Sequence, residues 1–520
     1  MPHIITLLMR MLMKPLTKLG SYTLTAGILL SALGCQQTHI EFTPKAEPQL
    51  PVFDKLKGAP EITPLNYKEW RHSEPVSITP KLDLYLFDDT LSGLNHLSLV
   101  AYSSMPMINL DVLVQAFKEK RTWLVQQSTL ACAESLSIRP SMHSLTISID
   151  CPDSPALTSE LLMQFWQAGS FDELDIANVR RQLKLAKHIN AYSGAEIDDV
   201  WAKKILGEQH VYNQALNDKT LADELDLDKL NQVKKQILGQ SNWALLINSS
   251  LEQDKAFISA LSQQFESKIA STPSTLSVIN SEANTEPNLN NSLSNNPNNS
   301  PVNSPAIPLG NDNKTLFIID APGSVQTQVR IGYPLNANNK NIESIQDCKL
   351  LASWLGRSFS GRLYYDLREV RGLTYGIYGR CFDNPLSRTL KFYGSTKLEH
   401  TGAFISGVLD HLTLATQTPP SAVEVDALTT YLTSQKMLRQ ANFRAVEVDT
   451  IKQLIRGGSP EQEQQAADRL AALTPEQLQQ IASSVFNNTP YIVIRGDRDK
   501  IEADLKDKLP EWKIVEAMAD

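Results

Sequence analysis

Along this chain the hydrophobic positions switch between a period of two and a period near 3.6, and the switches mark out strands and helices. In the second half, 317–319 is an apolar run, Pro322-Gly323 supplies a turn, and 328–332 alternates, which predicts two strands. Ile345, Leu350, Leu351 and Trp354 then recur at helical intervals over 342–354. Gly356 to Gly361 interrupts that helix and "RLYYDLREVR" resumes it. Strands are expected at 375–382 and 389–393, and helices at 403–414 and 422–438. "TPEQLQQIASSVF" is a further helix with Thr474 as its N-cap, and it runs into the strand "YIVIRGD".

The first half repeats this order in weaker form. Strands are predicted at 82–87 and 97–102, then a helix at 110–123 and a hairpin of 131–137 with 144–151 across "RPSM", 139–142. Helices follow at 156–168, 171–187, 196–206 and 227–238, before the strand "WALLIN". Paired strands interspersed with helices predict two α+β domains, each a mixed sheet with helices packed on one face.

Between the halves, 271–313 is dominated by Asn, Ser and Pro and cannot bury enough apolar surface to order itself. Arg10, Lys14 and Lys18 precede the apolar run "LTAGILLSALGC", the layout of a secretory signal. The run ends at Cys35 and resembles a lipobox, with Ala32 where leucine is usual; the alternative is an ordinary cleaved signal with an incidental cysteine. Gln36 after the cysteine implies, by the same resemblance, an outer-membrane destination. The expected organisation is a signal at 1–34, a tether at 35–78, domains at 79–270 and 314–520, and a disordered linker at 271–313.

A formal net charge of −8 and the lack of a long Lys/Arg run argue against nucleic acid as a partner. Cys132, Cys151, Cys348 and Cys381 fall as two pairs, one per half, and export permits disulfides. Cys132 and Cys151 would lie across the first-half hairpin, although a one-residue slip would place them on opposite faces. No CxxC spacing points to zinc.

The stretch "LREVRGLTYG" carries an arginine and a tyrosine, Arg368 and Tyr375, on either side of Gly372. Helix, glycine break and strand would aim both into one cavity. On chemistry alone the favoured reading is structural, with Arg368 pairing with Asp366 or Glu369 on a solvated helix and Tyr375 a sheet residue beside Tyr378. Three stretches, "DAPGSVQTQVRIG", "LGRSFSGRLYYDLREVRGLTYGIYG" and "LTPEQLQQIASSVF" followed by "VIRGD", change that balance. Together they resemble the C-terminal domain of the M16 (pitrilysin/insulinase-like, inverzincin) metallopeptidases. The first half resembles an M16 domain only in its order of elements and in pieces such as "ILGEQHVYN".

In that family a peptidase domain carries HxxEH on a helix, where two histidines hold zinc and the glutamate activates water. The partner domain supplies an arginine and a tyrosine that hold the peptide, positions that Arg368 and Tyr375 match here. None of the nine histidines stands in HxxEH, HxxxH or HExxH. The helix at 110–123 has no histidine, and "VRRQLKLAKHINAY", where the resemblance would place a third ligand, has His188 but no glutamate. "TKLEH", Thr396 to His400, has threonine for the first histidine and is a coincidence of spelling. The resemblance therefore implies a non-catalytic, lipid-anchored subunit with no cofactor of its own. It would lend Arg368 and Tyr375 to a chamber completed by an HxxEH-bearing zinc partner. The alternative is a pseudoenzyme scaffold, or peptide- or protein-binding module, whose clam-like pair of domains binds an envelope protein or peptide without cleavage.

Overall fold

The structure, a computed structural model, describes residues 69–517 apart from 88–93, 129–130, 153–154, 168–170, 172–175, 193–194, 216–223, 249–254, 271–310, 312 and 336–341. Cys35 and the signal segment lie outside the described residues, as does nearly all of the linker.

Two six-stranded mixed sheets carry the fold. The first contains β1 (Val76–Thr79), β2 (Leu82–Phe87), β3 (Asn95–Tyr102), β4 (Ser137–Ser141), β5 (Ser144–Cys151) and β6 (Asn242–Asn248), in the order β1-β2-β6-β3-β5-β4. The second contains β7 (Thr315–Asp320), β8 (Gln326–Leu335), β9 (Thr374–Asn384), β10 (Ser387–Lys397), β11 (Tyr491–Gly496) and β12 (Lys513–Glu516), in the order β12-β7-β11-β8-β10-β9. Five strands correspond one to one: β2 runs parallel to β6 as β7 does to β11, and the remaining pairings of those five are antiparallel in both sheets. Only the edges differ, since β1 is antiparallel to β2 whereas β12 is parallel to β7. The duplicated order expected from the hydrophobic pattern is therefore present in the fold.

Several boundaries differ from the pattern. Residues 131–135 form a 3-10 turn rather than a strand, and Arg139 to Ser141 belong to β4 rather than to the turn, which falls at Met142 and His143. Pro140 is tolerated because β4 is an edge strand. Within the span expected to be tether, Trp70 packs on Phe443 at 5.4 Å and donates to the Gln440 carbonyl, and β1 begins at Val76. Two helices with no counterpart in the expected series follow Gln440, at Phe443–Arg456 and Pro460–Ala471.

Helices pack on one face of each sheet and close its core. In the first half, Leu97, Leu99 and Ala101 of β3 face Phe117, Phe165 and Trp166; in the second, Phe392 and Tyr333 face Phe404 and Phe486. The other residues of β3, His96, Ser98 and Val100, are also buried, so a second layer covers the opposite face. That layer comes from the other half of the chain. Helix Phe443–Arg456 lays Val446, Ile451, Leu454 and Ile455 on Tyr85, Phe87, Val100 and Leu246 of the first sheet. Helix Glu196–Leu206 lays Ile197, Val200, Trp201 and Ile205 on Ile319, Val493 and Ala517 of the second. Each buried side chain of this size contributes about 1.5–3 kcal/mol, so the exchange binds the halves into one unit. They do not form an open pair waiting to close on a ligand.

Charges reinforce both contacts. Asp198 accepts from Arg330 Nε and Nη2 at 2.9 and 3.1 Å and from Lys391 at 2.8 Å. Burial would raise its pKa, but those two cations hold it down at about 2. Glu447, fully buried, accepts from Arg139 at 2.8 Å, pairs with His96 at 3.1 Å and accepts from the Ser98 hydroxyl. Burial again opposes ionisation, and the His96 and Arg139 contacts overcome it, leaving Glu447 at about 2. A third contact joins the hairpin tips. Leu386 N–H, beyond β9, donates to Tyr212 Oη at 3.0 Å, and His143, beyond β4, lies with Nε2 2.8 Å from the same oxygen and Nδ1 3.1 Å from the Ser103 carbonyl.

Candidate functional site

The Arg368 region is assembled from one continuous stretch. Helix Ile342–Gly356 lies directly on β9: a Cβ on Gly379 would sit 2.3 Å from the Ala352 carbonyl oxygen, so only glycine permits the approach. Cys348 on that helix is bonded to Cys381 on β9, with Cα atoms 5.5 Å apart. In the first half Cys132 is bonded to Cys151, with Cα atoms 5.1 Å apart.

After the loop at 357–361, a helical turn Arg362–Tyr364 widens into a π-helical turn, Tyr365–Val370. Two buried ion pairs hold its inner face. Arg362 grips Glu424 through two hydrogen bonds of 2.7 and 2.8 Å, and Asp366, fully buried, accepts from His411 Nε2 at 2.8 Å and pairs with Arg371 at 2.9 Å. Burial would raise both carboxyls, but their cationic and imidazole partners lower them below the usual carboxylate range. Asp366 is thus committed inward and does not pair with Arg368. Tyr364 is also buried, and Arg368 stands over its ring.

Gly372, at φ 66°, ends the turn in the left-handed region, and the Asp366, Leu367 and Arg368 carbonyls accept from Arg371, Leu373 and Gly372. The chain enters β9 through a bulge. Thr374 pairs with Thr396 and Gly376 with Ser395, so Tyr375 has no partner on the ladder. The Thr374 hydroxyl accepts from Gly376 N–H at 3.0 Å and lies 2.6 Å from the Ser395 carbonyl oxygen, pinning the irregularity. Bulges of this kind re-aim a side chain beside functional sites. Here the bulge leaves Tyr375 80% exposed, unlike an ordinary sheet residue.

Arg368 and Tyr375 are brought together. The guanidinium lies 4.7 Å from the centre of the Tyr375 ring and 4.8 Å from that of Tyr364. Its carboxylate neighbour among the described residues is Glu369, at 3.4 Å from Nε. π-stacking occupies the faces of the guanidinium and leaves its N–H edge for carbonyl or carboxylate oxygens. The hydrogen-bond pattern of the bulge was not readable from the sequence, where Tyr375 sat in a simple alternation.

Elsewhere, helix Leu110–Gln127 buries Val112, Leu113, Val114, Ala116 and Phe117 and contains no histidine. Among the described residues no group of three or more His, Cys, Asp or Glu is arranged to hold a metal ion. "TKLEH" spans the end of β10 and a 3-10 turn, Leu398–His400, so it is not on one helix. A second constellation escaped the sequence reading: Ser98 Oγ is 2.9 Å from His96 Nε2, and His96 Nδ1 is 2.8 Å from Asp150. Its spacing suits a nucleophilic hydroxyl. Ser98 is fully buried beneath helix Phe443–Arg456 and hydrogen-bonded to Glu447, so no substrate reaches it.

Residues 225–432 match the family model described as the peptidase M16 inactive domain. The match starts just before helix Leu227–Gln240 and β6, crosses the linker and contains Arg368 and Tyr375. No curated protein matches the chain. Among solved structures, a peptidase M16 inactive domain from Pseudomonas fluorescens is 16% identical, with a TM-score of 0.60 over 83% of this chain and 98% of that one. The first half of the periplasmic protease PqqL from Escherichia coli is 12% identical, with a TM-score of 0.59 over 85% and 97%. The whole of PqqL matches at 13% identity and a TM-score of 0.56, with 85% of this chain covering 50% of it. Identities this low speak to the fold alone. Residues 225–432 therefore match the model of the peptidase M16 inactive domain, and the α+β fold shared with M16-type structures extends over both halves of the chain.

Proposed function

We propose that this protein is a non-catalytic M16-like subunit that holds peptide with Arg368 and Tyr375 in a chamber completed by a separate HxxEH-bearing zinc peptidase. The observation that carries this reading is the Arg368–Tyr375 contact, displayed by a bulge and a π-turn, in a chain whose corresponding first-half helix has no histidine. Arg368 would clamp a peptide carbonyl or carboxylate and Tyr375 would donate to a developing oxyanion. Zinc belongs to the partner and no cofactor to this chain. The secretory signal and Cys35 support a lipid-anchored envelope protein, at the outer membrane facing the periplasm.

Pull-down from the envelope followed by peptide cleavage tests the reading. An M16 zinc peptidase should co-purify, and mixing should restore cleavage that falls by about two orders of magnitude in Arg368→Ala or Tyr375→Phe. Unchanged cleavage in both variants sinks the clamp. Peptide binding with no co-purifying peptidase and no cleavage would make the protein a scaffold instead.

A further inference from the structure

The loop before the Arg368 helix presents a large aromatic ring to solvent at a cost in backbone strain. Phe359 has φ 62°, and the Ser360 N–H donates to the Ser358 carbonyl at 2.8 Å across it. This is a γ-turn with positive φ, a rare and strained conformation for a residue with a side chain. Arg357 enforces it. Its Nε donates to Ser360 Oγ at 2.6 Å, a second nitrogen reaches the Ala427 carbonyl at 3.4 Å, and its guanidinium lies 5.1 Å from the Tyr431 ring. The fixed turn leaves Phe359 76% exposed. A lone exposed phenylalanine is ordinary, but one held on a positive-φ turn is the kind of backbone outlier that clusters at ligand sites.

Phe359 is also placed with respect to Arg368. Its ring centre is 5.2 Å from that of Tyr364, which in turn is 4.8 Å from the guanidinium carbon. Phe359, Tyr364, Arg368 and Tyr375 therefore form a continuous row in which an apolar ring and a cation stand no more than about 10 Å apart. Alternate side chains of an extended peptide point the same way and are about 7 Å apart along the chain. One peptide strand thus spans both groups with residues i and i+2.

Building on the substrate-holding reading above, we propose that this row selects its peptide: Arg368 takes a carboxylate and Phe359 takes an apolar side chain two residues away. The 3.4 Å contact with Glu369, itself half-exposed, is the intramolecular carboxylate that an incoming one displaces. Arg368 contributes charge recognition, Phe359 apolar contact, and Tyr364 the spacing between them.

Fluorescence anisotropy with the purified full chain tests this without a partner. The probes are fluorescein-labelled, C-terminally amidated octapeptides of Gly, Ser and Ala carrying Leu-Ala-Asp, Leu-Ala-Asn or Ser-Ala-Asp, in both directions. A fourth carries Leu-Ala at a free C-terminus, which separates a side-chain carboxylate from a terminal one. A charge-assisted contact should make one of the two carboxylate forms bind at least about tenfold more tightly than the Asn peptide. Arg368→Gln should erase that difference while sparing the preference for Leu over Ser. Phe359→Gly should erase the Leu preference and, because glycine relaxes the positive φ, raise the melting temperature. Weaker binding in a more stable variant is not what a merely structural Phe359 would give. Equal binding of all probes overturns the selectivity and leaves the holding role standing; no binding of any probe overturns both.

Discussion

Glu447→Gln separates the electrostatic part of the contact between the halves from its apolar part. Glu447 sits on helix Phe443–Arg456, is fully buried, and meets His96, Arg139 and Ser98 of the first sheet. Its pKa falls from 4.5 to about 2 on folding, which at about 1.36 kcal/mol per pH unit is on the order of 3 kcal/mol in favour of the ionised form. The sign follows from the unfolded chain binding the proton more readily: the stabilisation is complete above pH 4.5 and lost as pH falls toward 2. Glutamine keeps the shape and removes the charge. At pH 7 the variant should be less stable by about 3 kcal/mol, within the range for breaking a buried pair. The gap should narrow between pH 4.5 and 2. Urea unfolding followed by tryptophan fluorescence at a series of pH values measures it, and subtracting the two profiles removes the titrating groups that lie outside the Glu447 cluster. A gap that stays constant down to pH 2, or is under about 1 kcal/mol at pH 7, would refute an ionised, stabilising Glu447.

Two further predictions concern the other contacts between the halves. Trp201→Ala empties the apolar contact of helix Glu196–Leu206 with the second sheet and should cost about 3–5 kcal/mol in urea, with both halves still unfolding in one transition; two transitions would show independent domains. Burial lowers the pKa of His143, with Arg456 adding to the effect, and burial also lowers that of His210 beside it. Because the unfolded chain protonates these rings first, stability should fall as pH drops below 6.5, and Tyr212→Phe, which removes the oxygen between His143 and Leu386, should shrink that slope in thermal melts at pH 5 to 7.

Much of this architecture was written in local patterns. Alternation and short apolar runs located the central strands of both sheets but not the edge strands β1, β4 and β12, and the order of elements repeated across the Asn/Ser/Pro segment as the two sheets repeat it. Thr474, with Gln477 three residues on, signalled a helix start that the structure completes as a capping box. The lack of a paired-histidine motif was also legible, because ligand spacing on one helix is a local property. The hairpin at 139–142 was misplaced because Pro140 reads as a turn residue until the strand is known to be an edge.

The sequence by itself determined most of the helices and strands, where many of them pause, and which residues were candidates for chemistry. Those properties depend on neighbours a few positions apart. Only the tertiary structure decided what covers the second face of each sheet. Helices Glu196–Leu206 and Phe443–Arg456 pack on strands of the opposite half, and no periodicity names a partner hundreds of residues away. The same holds at the site. Arg368 and Tyr375 were visible as letters, but their contact depends on a π-turn, a left-handed Gly372 and a bulge whose hydrogen bonds come from Ser395 and Thr396 on the neighbouring strand. Side-chain direction is a consequence of long-range register, so it exists only once the chain has folded.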